Sequence, residues 1–214
     1  MKRAMNLFLA LGVAAVATAA LAGVDEDVRQ LQTDWAEVKY VRPKAEQEKS
    51  FEALAQAAAV VRDKNPNRAE PLIWYGIIVA SHAGAKGGIG ALSLAKEAKV
   101  TFERALEIDR NALEGSAYAS LGSLYYQVPG WPIGFGDDKK GAELLQTALA
   151  INPNGIDPNY FMGDLLYRKG DYAGARAALT KALAAPSRPG RAIADEGRRK
   201  EINELLAKVR ERTG

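Results

Sequence analysis

The sequence predicts an all-α protein built as an array of helical hairpins, and two observations support this fold class. Apolar residues recur at helical spacing along most of the 214 residues, and no stretch of alternating β-branched residues bounded by turns is found. A trio made of a small residue, a large apolar residue and an alanine also recurs at intervals of 43 and 34 residues. An interval of 34 residues is typical of stacked helix-turn-helix repeats.

The first 22 residues have the pattern of a secretory signal peptide. Lys2 and Arg3 precede an apolar run that closes on the small residues of Ala20-Leu21-Ala22. We expect cleavage after Ala22 and a periplasmic or secreted protein. An uncleaved membrane anchor is the alternative, but the run is short and alanine-rich for a bilayer span of about 20 residues. Because no cysteine follows, a lipid anchor on a cysteine is excluded.

Removal of the signal peptide brings the chain close to neutrality. The signal holds two of the 29 basic residues and none of the 26 acidic ones, so the net charge falls from +3 to +1. No long basic stripe remains outside the C-terminal helix, and we therefore expect no nucleic-acid partner. The absence of cysteine also excludes a disulfide framework, so apolar burial has to stabilise the fold.

The mature chain is predicted to have three parts. Residues 23–68 form a divergent N-terminal hairpin, residues 69–186 hold the repeats, and residues 187–214 form a capping helix. In that last helix Ile202 belongs to an apolar face, and Glu201 is predicted to lie on the opposite, solvated face. Helices are predicted at 24–40, 45–64, 69–83, 91–108, 112–127, 138–150, 157–168, 171–184 and 192–212.

Each of the three repeats places small residues where its two helices should cross. Antiparallel helices approach within about 8 to 10 Å only where the side chains at the crossing are small. A glycine on the first helix is therefore expected to face the large apolar residue on the second. The anchors are Gly76, Ala98, Phe102 and Ala105 in the first copy, Gly122, Gly141, Leu145 and Ala148 in the second, and Gly163, Ala175, Leu179 and Ala182 in the third.

Over roughly residues 69–186 these patterns resemble the tetratricopeptide repeat (TPR) family. The family's pattern of small, bulky and turn residues is matched in the third copy by Gly163, Gly170, Tyr172, Ala175, Leu179, Ala182 and Pro186. The second copy matches it at Leu121, Gly122, Tyr125, Ala148 and Pro153. The resemblance implies one right-handed array of TPR-like hairpins. We therefore expect a non-catalytic scaffold that binds another protein.

Two of the repeats carry insertions between their helices. Compared with the third copy, the second has seven extra residues in "VPGWPIGFGDD" and the first has ten around "AGAKGGIG". Enlarged loops at 84–90 and 129–138 are predicted to project side by side from one edge of the array. Trp131, Ile133 and Phe135 are the candidate anchors for a partner. The alternative is that aromatics seal the hairpin, and we expect sealing for Trp131 and exposure for Phe135.

A signal peptide, few repeats and glycine-rich insertions also make the chain similar to the periplasmic T-component proteins of TRAP transporters. That resemblance implies an envelope or transport complex that contains an extracytoplasmic ligand-binding protein. It also implies an alternative function, in which the concave face or a pore holds a small apolar ligand. The candidate lining residues are Trp74, Tyr75, Tyr118, Tyr125 and Tyr160.

No catalytic constellation is apparent. His82 is the single histidine and cysteine is absent, so neither a two-histidine metal site nor a histidine-activated nucleophile can be built. We expect no enzyme activity, metal or cofactor. His82 is predicted to hydrogen-bond to the glycine-rich loop, with a ligand-binding role beside Lys86 as the alternative. Asp137 and Asp138 are predicted to cap the following helix.

Overall fold

The computed structural model describes residues 23–213. The predicted signal peptide, residues 1–22, lies outside the described residues, as does Gly214. The described part is all-α, which confirms the predicted fold class, and it contains nine α-helices. Helix α1 covers 23–36 and continues into a π-helical turn at Glu37–Val41. The others are α2 (Lys44–Lys64), α3 (Ala69–Lys86), α4 (Gly88–Ile108), α5 (Ala112–Gln127), α6 (Asp138–Ile151), α7 (Ile156–Arg168), α8 (Tyr172–Leu183) and α9 (Ala192–Thr213).

Consecutive helices pack as hairpins, and α3–α4, α5–α6 and α7–α8 form the three repeats. The predicted register is confirmed at each crossing. A Cβ atom added to Gly76 would lie 2.6 Å from the Phe102 ring, and one added to Gly163 would lie 2.7 Å from Leu179. The middle repeat has the same arrangement between Gly122 and Leu145, at 3.0 Å. Glycine is therefore needed at these positions because the partner helix leaves no room for a side chain.

Side-chain caps and turn conformations set several helix ends. The Asp137 carboxylate accepts a hydrogen bond of 3.0 Å from the Lys140 backbone N–H, as predicted, and Asp171 caps α8 through Gly174 in the same way. At the start of α5, Leu113 and Glu114 have positive φ angles of 47° and 55°. Such angles are uncommon outside glycine, and the regular helix begins only after this left-handed turn.

The predicted glycine-rich loop at 84–90 is wrong. Helix α3 continues to Lys86 and α4 begins at Gly88, so the extra residues of the first repeat lengthen the two helices. A tight turn joins them, with positive φ at Gly87 and Gly88 (65° and 59°). Alanine and leucine around the glycines favour helix strongly enough to extend both segments. The second insertion, in contrast, forms a true loop between α5 and α6.

Apolar side chains from α1 to α6 form the main core, and α7, α8 and α9 build a smaller one. The small repeat residues lie in these cores, since Ala98, Ala175 and Ala182 are fully buried. Among residues 23–213, no helix is both long and apolar enough to cross a bilayer.

Candidate functional site

The loop between α5 and α6 is held by its own backbone. The N–H of Gly136 donates to the Pro129 carbonyl at 2.9 Å, and that of Asp137 donates to the Tyr125 carbonyl at 2.7 Å. The Gly134 N–H donates across the tip to the Gly130 carbonyl at 3.1 Å. A Cβ atom at Gly136 would collide with the backbone of Val128 and Pro129, so the loop closes only around glycine.

This loop displays Trp131 and buries one side of Phe135, which is the reverse of the expectation. Trp131 is 90% exposed and Ile133 is 68% exposed. The Phe135 ring packs edge-on against Tyr125 with ring centres 5.5 Å apart, and the Lys99 ammonium lies 5.9 Å from its centre. Phe135 has no apolar neighbours in the sequence, but in the folded chain it packs against Tyr125 of α5 and the main core. Phe135 therefore anchors the loop that presents Trp131.

The loop lies on the beginning of α4. A Cβ atom at Gly134 would be 3.3 Å from Leu92, one helical turn beyond Ile89. Ile89 is itself 96% exposed. Ile89, Trp131 and Ile133, here called the exposed edge, thus lie at one end of α4. Proximity of the two insertions was expected, although the first turned out to be helical.

The concave side of the array is a closed groove. The first helix of each repeat contacts the first helix of the next, in the order α3, α5, α7, and α7 also contacts α9. Helix α9 then contacts the π-helical turn at the opposite end of the chain. At this closure the Tyr40 ring covers Gly197, and the Tyr40 hydroxyl donates to Glu201 at 3.3 Å. The predicted capping helix therefore also closes the array on itself.

The groove has a volume of about 890 Å³. Of the five aromatic residues expected to line it, Trp74 and Tyr160 do so. Tyr118 is half-buried against the main core, Tyr125 packs on Phe135, and Tyr75 bonds to Glu97, so none of these three lines the groove. Its lining combines apolar surface with ten charged side chains. The charged residues are Lys39, Lys44, Arg168, Arg188, Arg191 and Arg198 against Glu114, Asp157, Asp164 and Glu201.

Five of these ten charged residues are joined in one network of ion pairs, which also includes Asp195. Arg188 donates to Asp157 at 2.7 Å and to Asp195 at 2.7 Å. Arg198 donates to Asp157 at 2.8 Å and to Glu201 at 2.5 Å. The solvated position expected for Glu201 is therefore wrong, because the closure of the array brings Lys39 and Tyr40 to it and Arg198 contacts it from the same helix.

The network shifts the protonation equilibria of its members. Burial alone would raise the pKa of Asp157, but the charges of Arg198 and Arg188 hold that pKa well below its ordinary value. Burial alone would lower the pKa of Arg198, but Tyr40, Asp157 and Glu201 raise it above its ordinary value. Through Glu201 and Arg198, the network connects Tyr40 at the closure point to Asp157 on α7, and it therefore supports the closed form of the array.

Arg191 lines the groove but does not belong to this network. It forms no ion pair within residues 23–213, and its Nε atom is buried without a hydrogen-bond partner there. Its guanidinium carbon lies 4.9 Å from the centre of the Trp74 ring. Trp74 is only 4% exposed, and its indole N–H is also without an acceptor in the described part of the chain. Burial, followed by the charge of Arg188, lowers the pKa of Arg191 to about 10.

His82 and Lys86 do not form a joint binding site. His82 is buried, and its Nε2 atom has no hydrogen-bond partner within residues 23–213, so the expected bond to a glycine-rich loop is wrong. The Lys86 ammonium pairs instead with Glu48 on α2 at 2.9 Å. Within residues 23–213, no group of three His, Cys, Asp or Glu residues is placed to hold a metal ion.

Sequence reasoning missed the arginines of the groove. Arg188, Arg191 and Arg198 all follow the last repeat, where the basic C-terminal segment was the one exception to an otherwise even charge distribution. This basic segment was the feature of the sequence that could have pointed to the groove arginines. The sequence of this segment does not show that the three arginines face the groove, because their orientation depends on how α9 packs across α7.

Comparison with known proteins supports the fold. No protein-family model and no curated sequence matches this chain. Among solved structures, it is similar to TTC0263, a thermophilic TPR protein of Thermus thermophilus, with 21% identity and a TM-score of 0.53. The match covers 77% of this chain and 84% of that one.

Two crystal structures of MamA are also similar, with 21% and 19% identity and TM-scores of 0.45 and 0.44. They cover 79% and 87% of this chain, and 92% of each MamA chain. The likeness to TTC0263, together with the glycine crossings, shows that the chain has a TPR-like helical-repeat fold.

Proposed function

We propose that this protein is a non-catalytic, exported scaffold whose exposed edge docks onto a different protein. The observation that carries the proposal is a 90% exposed tryptophan on a loop that backbone hydrogen bonds and Phe135 hold in place. Large aromatic side chains are the most frequent hot spots of protein interfaces. A side chain that is already held in position loses little conformational entropy on binding.

The shape of the exposed edge specifies the partner's chemistry. Trp131 and Ile133 project from the loop, so the complementary surface has to be a concave apolar pocket. A second copy of this chain does not offer such a pocket in its groove, since charged side chains line it. This argument favours a partner of a different kind over self-association.

The place of action is part of the same proposal. The signal-peptide pattern of residues 1–22 supports export to the periplasm, where the scaffold would serve an envelope or transport complex. N-terminal sequencing of the protein from its native host tests this part. We expect the mature chain to begin at Gly23, and retention of Met1 would contradict export by cleavage.

The alternative function, a small apolar ligand in the groove, has weaker support. Six cationic and four acidic side chains line the groove, and desolvating them around an apolar ligand would be unfavourable. The charge of the lining therefore favours a polar or anionic occupant over an apolar one.

Site-specific photo-cross-linking in native cells tests the docking surface. A cross-linking amino acid at position 131 should trap one defined protein, whereas the same group at Val60, which is 53% exposed on α2, should not. With the trapped protein purified, Trp131→Ala should weaken its binding by a factor of about 30, as loss of a 2 kcal/mol hot spot implies. Val60→Ala should leave the affinity unchanged. Equal trapping from both positions, or trapping of a second copy of this chain, would refute the proposal.

A further inference from the structure

Arg191 differs from Arg188 and Arg198 in forming no ion pair within residues 23–213. Arg188 and Arg198 each contact two carboxylates, which are drawn from Asp157, Asp195 and Glu201. Those three carboxylates also attract Lys39, which lies 3.7 Å from Glu201. The network thus contains one more cation than it has carboxylates, and the excess charge belongs to Arg191.

The position of Arg191 is fixed even though its charge is unpaired. Its guanidinium lies over the buried ring of Trp74. Trp74 is in turn held edge-on against Trp35, whose indole N–H donates to the Ser81 hydroxyl at 2.8 Å. A cation over an indole face is attracted to it, but this attraction does not satisfy the guanidinium N–H donors. Arg191 therefore presents unused donors at the wall of the groove.

A cation in this environment is complementary to an anion. Burial of a charge without an ion pair destabilises the folded chain, and Arg188 repels Arg191, while Asp157 and Asp195 attract it without forming an ion pair with it. An anion bound at Arg191 would relieve both effects. The arrangement is unfavourable for the empty protein and favourable for a complex, which is typical of a binding site rather than of a structural ion pair.

The surroundings narrow the class of anion. Because the network has a single excess positive charge, a monoanion fits it better than a phosphate dianion. A carboxylate matches the planar fork of a guanidinium and accepts two parallel hydrogen bonds from it. Trp74, Tyr160 and Phe161 provide aromatic surface in the same groove, and its 890 Å³ falls within the range of small-molecule sites. The contact of α9 with the π-helical turn closes the groove around its circumference, which favours a small ligand over a polypeptide segment.

We propose that the closed groove binds a small organic acid with an apolar or aromatic body, and that Arg191 and Trp74 form the carboxylate subsite. This inference is independent of the docking role of the exposed edge, since it uses a different surface of the molecule.

Calorimetric titration with acetate, benzoate and 3-phenylpropionate tests the subsite, with benzamide as the uncharged match for benzoate. We expect saturable binding of benzoate or phenylpropionate and none of benzamide. Arg191→Met should weaken the binding at least tenfold, whereas Arg210→Met, at an exposed position near the end of α9, should not change it. Trp131→Ala should also leave it unchanged, so a failure here is separate from a failure of the docking proposal.

Stability provides a second readout that a merely structural arginine would not produce. Without ligand, Arg191→Met should raise the melting temperature because it removes a charge without an ion pair, whereas Arg198→Met should lower it because it removes one ion-pair partner from each of Asp157 and Glu201. Absence of binding for all three acids, or benzoate binding to Arg191→Met with unchanged affinity, would overturn the proposal. Tighter binding of inorganic phosphate, or of a tripeptide with a free C-terminus, would also overturn it in favour of a different ligand.

Discussion

Closure of the array at Gly197 can be tested by adding one methyl group. Gly197 lies within α9, and a Cβ atom at this position would overlap the Tyr40 ring. The ring cannot easily move aside. It packs edge-on against Trp35 with ring centres 5.7 Å apart, and its hydroxyl is bonded to Glu201. Gly197→Ala therefore has to displace the π-helical turn from α9 or strain both elements.

The expected magnitude comes from two opposing effects. In a helix interior, alanine is more favourable than glycine by about 0.5 to 1 kcal/mol. Overpacking by a methyl group destabilises by about 1 to 3 kcal/mol. We expect Gly197→Ala to lower the free energy of unfolding by about 1 to 2 kcal/mol. The matched control is Gly84→Ala on α3, where nothing lies within 4 Å of the added Cβ atom and stability should rise by about 0.5 kcal/mol.

Thermal denaturation followed by circular dichroism measures both variants. For a chain of this length, 1 kcal/mol corresponds to about 2 to 4 °C, so the two melting temperatures should differ by roughly 4 to 8 °C with opposite signs relative to the wild type. An equal rise in both variants would show that α9 does not contact Tyr40 in solution. The closed groove, and the reasoning that depends on it, would then be wrong.

Three further predictions concern the core, the ion network and the loop. Ala182→Leu adds bulk at a fully buried crossing and should destabilise the fold by about 1 to 3 kcal/mol, so an unchanged melting temperature would contradict the repeat register. The folded pKa of Asp157 lies below its unfolded value of 3.8, so its ion pairs stabilise the fold above that pH and lose this contribution as the pH falls toward the folded pKa. Asp157→Asn should therefore be less stable than the wild type at pH 7. In urea titrations its free energy of unfolding should fall less steeply below pH 4 than that of the wild type. An identical pH dependence in the two proteins would contradict the role of the ion pairs between Asp157 and its arginines. Phe135→Ala should destabilise the fold by about 2 kcal/mol, roughly half the effect for a fully buried aromatic. Trp131→Ala should change stability by less than about 0.5 kcal/mol. If thermal melts showed Trp131→Ala to be the more destabilising of the two, the loop would turn its other face to the core.

Much of the fold could be predicted because it depends on local patterns. The spacing of Gly163, Ala175 and Leu179 identifies a helical hairpin, since only small residues allow the crossing that the structure contains. Sequence reasoning failed at 84–90, where glycines indicated a loop but the surrounding residues continued the helices. It also failed for Phe135, because its contact with the Tyr125 ring of α5 depends on how the loop folds back onto that helix.

The all-α class, the hairpin register and the presence of an inserted loop with apolar residues could be predicted without the structure. Each of these follows from residues within one repeat, where helix propensity and side-chain size decide the outcome. Closure of the array could not be predicted in this way, since Tyr40 and Glu201 are 161 positions apart in the chain. Their contact depends on the rotation accumulated from one hairpin to the next, which no local pattern encodes. The same closure turns the arginines of the last segment into the wall of a groove and leaves Arg191 without a counter-charge.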